Sequence, residues 1–242
     1  MAALCGLAIG CRETTSSKSR LEPDAGAARA PRPEEAARYV SAGTCRECHE
    51  AAWRAWEGSH HDHAYQVATP ETVAARFEGT VATDDGETTF ERDGDAFRIR
   101  APGPNGEVSA FDVVATFGVE PLQQYLVELP GGRIQAHTLA WDVAGERWFD
   151  VFPDEDLQPG DPYHWTGRNQ GWNAMCADCH STRVVRNYDA ETDTYATTYA
   201  DEDVGCQACH GPGSRHVAWA RAPTPSDTKG LVVQTSTHAR SQ

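Results

Sequence analysis

Cys45-Arg46-Glu47-Cys48-His49 is the first of three Cys-x-x-Cys-His motifs in this chain. The second is Cys176-Ala177-Asp178-Cys179-His180, and the third is Cys206-Gln207-Ala208-Cys209-His210. This spacing is typical of c-type haem attachment, in which two cysteine sulfurs bind one porphyrin and the following histidine ligates its iron. The motifs predict three covalent haem c groups on Cys45, Cys48, Cys176, Cys179, Cys206 and Cys209, with His49, His180 and His210 as proximal iron ligands.

Paired cysteines also occur in zinc ribbons and in thioredoxin-like redox centres. A zinc ribbon combines two pairs into one tetrahedral site and needs no histidine after each pair, and a redox dithiol needs only one pair. Here three pairs each have their histidine, and together they use six of the 8 cysteines. Haem attachment is therefore the favoured interpretation, and the remaining cysteines are Cys5 and Cys11.

The composition restricts the partners. The chain has 21 basic and 36 acidic residues, which give a formal net charge of −15. A strongly acidic protein repels phosphate groups, so we expect neither nucleic acid nor an anionic membrane surface as a partner. The charge fits a basic redox partner protein, although solubility alone also explains it.

Covalent haem attachment takes place outside the cytoplasmic membrane, so we expect an exported protein in the periplasm or at the cell surface. Residues 1–11 resemble a signal or lipoprotein segment, because a short apolar run ends in Leu7-Ala8-Ile9-Gly10-Cys11. A lipid on Cys11 is the expected membrane attachment, and the alternative is an ordinary signal peptide that starts upstream. Residues 12–38 are rich in Ser, Ala, Pro and charge, and predict a flexible tether.

The predicted fold class is α+β, with short haem-binding helices and an antiparallel β insertion between the first two motifs. Between His49 and Cys176 lie 126 residues, more than a haem loop needs. Turn pairs such as Asp93-Gly94 and Gly131-Gly132 separate segments with strand composition, which include Arg133 to Trp141. The predicted organisation is a first haem segment at 39–70, the β insert at 71–160, the second and third haem segment at 161–220 and a disordered tail at 221–242.

The second axial ligand of each iron distinguishes a carrier from an enzyme. Seven histidines lie outside the motifs, whereas the only methionines are Met1 and Met175. Met175 adjoins Cys176 and is badly placed to reach the opposite face of its own haem. We therefore expect His/His coordination, which gives lower reduction potentials than His/Met coordination.

Three of these histidines are candidate distal ligands. His61 follows a helix that ends at Gly58, His216 follows the turn Gly211-Pro212-Gly213, which can carry it to a neighbouring haem, and His164 has an aromatic setting. The remaining four fit solvated or structural roles, and they are His60, His63, His137 and His238.

Two stretches carry a resemblance to a known family. They are Cys45 to His49 with Trp56 and Ser59-His60-His61, and Cys206 to His210 with Gly211-Pro212-Gly213-Ser214-Arg215-His216. The chain resembles multihaem cytochromes of the cytochrome c-552/4 class, related to the tetrahaem carriers of hydroxylamine oxidation. A subgroup with C-terminal tetratricopeptide repeats is also similar at Thr116 to Tyr125 and His164 to Gly167.

This resemblance covers roughly residues 39–220 and implies electron transfer, with His61 and His216 at positions that can serve as distal ligands. Such relatives commonly have a further haem motif and then helical repeats, and this sequence departs from that pattern because it shows neither. We expect an exported triheme cytochrome for single-electron transfer with low-potential haems. The alternative is a multihaem oxidoreductase that acts on a small nitrogen or sulfur compound at a haem with an open axial position.

Overall fold

The structure is a computed structural model that describes residues 36–234. The signal-like segment 1–11 with Cys5 and Cys11, most of the predicted tether, and residues 235–242 with His238 lie outside the described residues.

Nine antiparallel strands form one sheet between the first and second motifs. The strand order is β2-β3-β4-β5-β6-β8-β9, with β1 paired to β5 and β7 paired to β6. The large antiparallel sheet predicted from the turn signals is confirmed. The strands are β1 (Gln66–Val67), β2 (Thr80–Thr83), β3 (Gly86–Asp93), β4 (Ala96–Pro102), β5 (Val108–Phe117), β6 (Leu122–Leu129), β7 (Arg133–Ala136), β8 (Leu139–Asp142) and β9 (Arg147–Asp150).

Glycines form the tight connections between neighbouring strands. Gly94 joins β3 to β4 with a φ of +62°, and Gly131 and Gly132 join β6 to β7 with φ values of +79° and +68°. A side chain at Gly132 would also collide with the carbonyl oxygen of Tyr195. The Gly131-Gly132 pair is therefore a hairpin turn, as its sequence predicts.

The segment from Arg133 to Trp141 is not one strand, as the sequence predicted, but two. Both β7 and β8 pair with β6, and the register shifts by two residues between them. The interruption lies at His137, whose Nδ1 accepts a hydrogen bond from the N–H of Leu139 at 3.1 Å. The apolar pattern alone does not reveal such an irregularity, because both faces of the sheet are buried here: Ala136 belongs to one core cluster, and Leu139 and Trp141 belong to the other.

An aromatic core covers the middle of the sheet. Phe77, in the loop before β2, is 1% exposed and contacts four aromatic rings edge-on or tilted, with centroid distances of 5.1 to 5.7 Å. Burial of an aromatic side chain of this size contributes about 1.5–3 kcal/mol. The sheet therefore has a core made of protein side chains alone. The four rings belong to Phe90, Phe97, Tyr125 and Trp148.

The helices are short and coincide with the motifs or follow them. A second core cluster around the fully buried Trp172 joins the second motif to β5, β6 and β7. No helix in the described part of the chain is long and apolar enough to cross a membrane. The helices are α1 (Gly43–Arg46), α2 (Glu50–Trp56), α3 (Ala177–His180), α4 (Cys206–His210) and α5 (Ser214–Arg221), with a π-helical turn at Trp172–Cys176 and a 3₁₀ turn at Asp62–Ala64.

Candidate haem-binding site

The first motif and helix α5 face each other across a cleft of about 120 Å³. Cys45, Cys48 and His49 line one side, and His216 lies on the other. The imidazole rings of His49 and His216 are nearly parallel, at 19°, and their centroids are 6.0 Å apart. Because a metal–imidazole bond is about 2 Å long, two imidazoles that share one ion have centroids roughly 6 Å apart. The spacing of the two histidines thus suits ligation of one iron.

Main-chain carbonyls fix the tautomer of two motif-associated histidines. Nδ1 of His216 donates to the carbonyl of Lys229 at 2.8 Å, and Nδ1 of His180 donates to the carbonyl of Ala64 at 3.2 Å. In each ring Nε2 is then the nitrogen that faces away from this bond and is available to a metal. Metal-ligating histidines usually donate their second nitrogen to such an acceptor. Both side chains therefore have the hydrogen-bonding arrangement that is typical of a metal ligand.

The second motif is anchored in the cluster around Trp172. The ring of His180 lies 5.5 Å from the ring of Phe117 and 5.5 Å from that of Trp172. Burial also raises the pKa of the Cys176 thiol. These contacts restrict the rotation of the His180 ring.

The first and third motifs lie side by side. Burial raises the pKa of the Cys45 thiol to about 11, and the adjacent Cys206 thiol adds to the rise. The side chain of Gln207 joins the third motif to the segment before the first motif, since its Oε1 accepts from the N–H of Val40 at 2.9 Å and its Nε2 donates to the Val40 carbonyl at 2.6 Å. Protein contacts therefore hold these two attachment sites together.

The chain around His61 runs beside the third motif. The N–H of Val204, two residues before Cys206, donates to the carbonyl of His61 at 3.2 Å. The side chains of His60 and His61 are both exposed. The structure thus places His61 next to the start of the third motif.

His63 differs from the solvated residue that its sequence context predicted. Its side chain is 26% exposed, and its Nδ1 is buried without a partner in the described part of the chain. The next residue, Ala64, supplies the carbonyl that holds His180. A buried nitrogen without a partner is available to a ligand or to water. The sequence offered no signal for this beyond the His-x-His spacing of His61 and His63.

His164 is placed differently from the distal ligand that was predicted. Its Nε2 bonds to the Asp85 carboxylate at 2.9 Å, and its Nδ1 bonds to the hydroxyl of Thr166 at 2.7 Å. The side chain is 3% exposed, and that of Asp85 is 8% exposed. Because both ring nitrogens are engaged, ligation of an iron would require one of these bonds to break. The structure shows a buried hydrogen bond between His164 and Asp85 that joins the start of β3 to the loop after β9.

The six motif cysteines form no disulfide within residues 36–234. The first cysteine of each pair is half-buried and the second is exposed. The same part of the chain contains no group of three or more His, Cys, Asp or Glu side chains arranged to hold a metal ion. The free thiols, the cleft between His49 and His216, and the two fixed tautomers all fit covalently attached haem.

A family model described as cytochrome c554 and c-prime matches residues 44–92 and 163–211. The matched residues include all three motifs. Together with the motifs, the matches support a multihaem c-type cytochrome. A cytochrome of this family contains covalently bound haem c. The strands from β4 to β9 lie outside the matched residues, so in this chain most of the sheet is an insertion between the matched parts.

Two solved structures are similar in fold. The outer cell wall cytochrome OcwA matches with a TM-score of 0.50 and 17% identity, over 82% of this chain and 35% of that chain. The undecaheme cytochrome from the S-layer of Carboxydothermus ferrireducens matches with a TM-score of 0.44 and 18% identity, over 75% of this chain and 22% of that one. The chain thus spans about a third or less of the structures that it matches. No curated protein matches it significantly.

Proposed function

We propose that this protein is an exported triheme c-type cytochrome that transfers single electrons through low-potential His/His haems. The observation that carries the proposal is the pair His49 and His216, whose parallel rings are 6.0 Å apart across a cleft that contains Cys45 and Cys48. Bound haem c supplies one-electron redox chemistry. Histidine on both faces leaves no position for a substrate, which favours a carrier.

The assignment of residues to the three groups follows from position. Cys45, Cys48 and His49 hold the first group, with His216 opposite. Cys206, Cys209 and His210 hold the third, and His61 is its proposed distal ligand because Val204 fixes the His61 main chain beside this motif. Cys176, Cys179 and His180 hold the second.

The neighbouring thiols of Cys45 and Cys206 support electron transfer within the chain. Attachment at these two positions would bring the first and third groups together, and Gln207 anchors the third motif to Val40, five residues before the first motif. An electron that enters at one of these groups then has a short route to the other. The acidic charge favours a basic redox partner protein.

Export is part of the proposal because covalent haem attachment occurs outside the cytoplasmic membrane. The printed name of OcwA places that protein in the outer cell wall, which supports a location in the periplasm or at the cell surface. Lipid attachment at Cys11 is the proposed membrane anchor.

The first experiment counts the groups and determines their spin state. Purified protein should give three haems per chain in a pyridine haemochrome assay, and the variant Cys176→Ala should give two. Paramagnetic resonance of the oxidised protein should show only low-spin iron. Zinc without haem would refute the cofactor assignment, and a high-spin iron in the native protein would refute a pure carrier.

A second cleft favours the alternative function, an oxidoreductase with one open axial position. It has a volume of about 350 Å³ and lies directly before the second motif. Its size suits a small molecule, and its guanidinium, amide and hydroxyl groups suit a small anion. Nitrite and sulfite are suitable probes, and a spectral change at the haem that Arg168→Glu abolishes would support this function. The lining includes Arg133, Arg168, Asn169, Met175 and Tyr195.

A further inference from the structure

Residues 228–233, which we name the closing loop, return to helix α5 and lie against it. The turn begins where the N–H of Leu231 donates to the carbonyl of Thr228 at 2.9 Å. Lys229 and Gly230 both have left-handed backbones, with φ values of +51° and +76°. This conformation is uncommon for lysine, so the surrounding contacts must maintain it. The sequence predicted a disordered tail here, whereas the closing loop has defined contacts.

The closing loop contacts both ends of the turn between the third motif and α5. At one end, the carbonyl of Lys229 accepts the Nδ1 proton of His216 at 2.8 Å. At the other end, Val232 and Val233 lie against the buried Gly211, where an added Cβ would be 3.1 Å from Cγ2 of Val233. Gly211 directly follows His210. The loop therefore connects the residues around two different iron ligands.

A tryptophan restricts the same imidazole from another direction. The ring of Trp219, one turn along α5, is nearly parallel to that of His216 at a centroid distance of 5.9 Å. The indole Nε1 of Trp219 donates to the carbonyl of Thr224 at 2.8 Å, which fixes the indole against the chain leading to the loop. Rotation of His216 is thus limited by its hydrogen bond and by a flanking ring.

We propose that the closing loop positions His216 as the distal ligand of the first haem and, through the Lys229 carbonyl, lowers the reduction potential of that haem. The proposal rests on the proposed function, in which His49 and His216 share one iron. A hydrogen bond from Nδ1 to a carbonyl increases the basicity of the opposite nitrogen, and a more basic ligand stabilises oxidised iron. Lys229 is a positioning residue that acts through its main chain.

Gly230→Ala is the test variant. A Cβ at this position would lie 2.5 Å from the carbonyl oxygen of Arg215, so the loop must move away from α5. Gly94→Ala is the matched control, since Gly94 has a similar φ of +62° with nothing within 4 Å of its added Cβ.

We expect Gly230→Ala to keep its low-spin iron, change the paramagnetic resonance g values of one haem, and favour its reduction on the order of tenfold, about 59 mV for one electron. Val233→Asp, which releases the loop from Gly211 without touching α5, should shift the same haem in the same direction. Val233→Asp is the alternative test variant if Gly230→Ala does not fold. Unchanged potentials in the folded variants would overturn the proposal.

His216→Ala separates this proposal from the proposed function. Conversion of one haem to high spin in His216→Ala, together with a shifted potential in Gly230→Ala, supports both. If His216→Ala contains high-spin iron but Gly230→Ala has native potentials, the proposed role of the closing loop is refuted and the shared ligation is not. An unchanged spin state in His216→Ala would refute the shared ligation itself.

Discussion

The indole Nε1 of Trp56 donates a hydrogen bond to the main-chain carbonyl of Val204 at 3.0 Å. This bond joins helix α2, which follows the first motif, to the segment that leads into the third. The N–H of the same Val204 is bound by the carbonyl of His61. Trp56 and His61 therefore hold Val204 on both sides, and the third motif begins two residues later. These two bonds hold the main chain of His61 beside the third motif, which is distant from it in sequence.

Replacement of His61 tests its assignment as a distal ligand. We expect His61→Ala to convert one haem from low to high spin, because no second imidazole then binds that iron. His60→Ala is the control, since His60 is the adjacent exposed imidazole. Optical and paramagnetic resonance spectra distinguish the two. Identical native-like spectra for both variants would exclude His61.

Removal of His164 should affect stability and leave the haems unchanged. Burial raises the pKa of Asp85, but hydrogen bonds from His164 and Thr83 outweigh burial and hold this pKa below its usual range. His164→Ala leaves the carboxylate buried without its partner, which typically costs about 3–5 kcal/mol. We expect this loss in urea unfolding followed by tryptophan fluorescence.

The control for His164→Ala is Arg76→Ala, which removes the exposed ion pair between Arg76 and Glu146 at 2.9 Å. An exposed pair contributes about 1 kcal/mol or less. A new high-spin haem in His164→Ala would instead restore His164 as a ligand.

His137 should make the fold sensitive to acid. Burial lowers its pKa from 6.5 to about 3, and its Nε2 has no hydrogen-bond partner within residues 36–234. The unfolded chain binds a proton at this residue below pH 6.5, whereas the folded chain does so only near pH 3. Stability is therefore full above pH 6.5 and falls as the pH decreases toward 3, by up to about 5 kcal/mol.

His137→Asn removes this titration and keeps an acceptor for the N–H of Leu139. We expect the free energy of unfolding of the variant to change less between pH 7.5 and pH 4.5 than that of the native protein. His60→Asn, at an exposed position, should retain the native pH dependence. The same slope in His137→Asn and in the native protein would contradict the prediction.

Asp203 should couple a proton to electron uptake. Burial raises its pKa to about 6, and Asp201, Asp62 and Glu202 add to the rise. The residue lies three positions before Cys206, and an added electron nearby disfavours its charged form further. The reduction potential of the adjacent haem should therefore fall as the pH rises through 6.

Potentiometric titration from pH 5 to pH 8 measures this dependence. We expect Asp203→Asn to abolish the slope near pH 6 and to raise the potential above that pH. Asp95→Asn, in the exposed turn between β3 and β4, should keep the native slope. A native slope in Asp203→Asn would show that another group takes up the proton.

Local chemistry made part of this molecule predictable from its sequence. Cysteine spacing identifies haem attachment within five residues, and paired turn residues identify hairpins such as the one at Gly131-Gly132. The interruption at His137 was not predictable, because it depends on how β7 and β8 share one partner strand. Alternation of apolar residues reports which face is buried but not where the register changes.

The surroundings of the histidines depend on contacts between distant residues. The aromatic residues beside His164 suggested a ligand, whereas its partner Asp85 lies 79 residues earlier. The bond from His216 to the carbonyl of Lys229 was not predictable either, because every residue has a carbonyl and the sequence does not show where it points. Histidine type and turn chemistry thus indicate candidates, and tertiary structure determines the partner of each.

The pairing of His49 with His216 has a bearing on how the protein is assembled. Synthesis produces His49 before all nine strands and His216 after them. The two sides of the cleft therefore meet only after the chain has folded back across the 166 residues between these histidines. Contacts between such distant residues form slowly. The site whose cysteines are made first therefore needs residues from the far side of the sheet before it is complete. A chain released before residue 216 would contain the motif at Cys45 to His49 without its partner histidine.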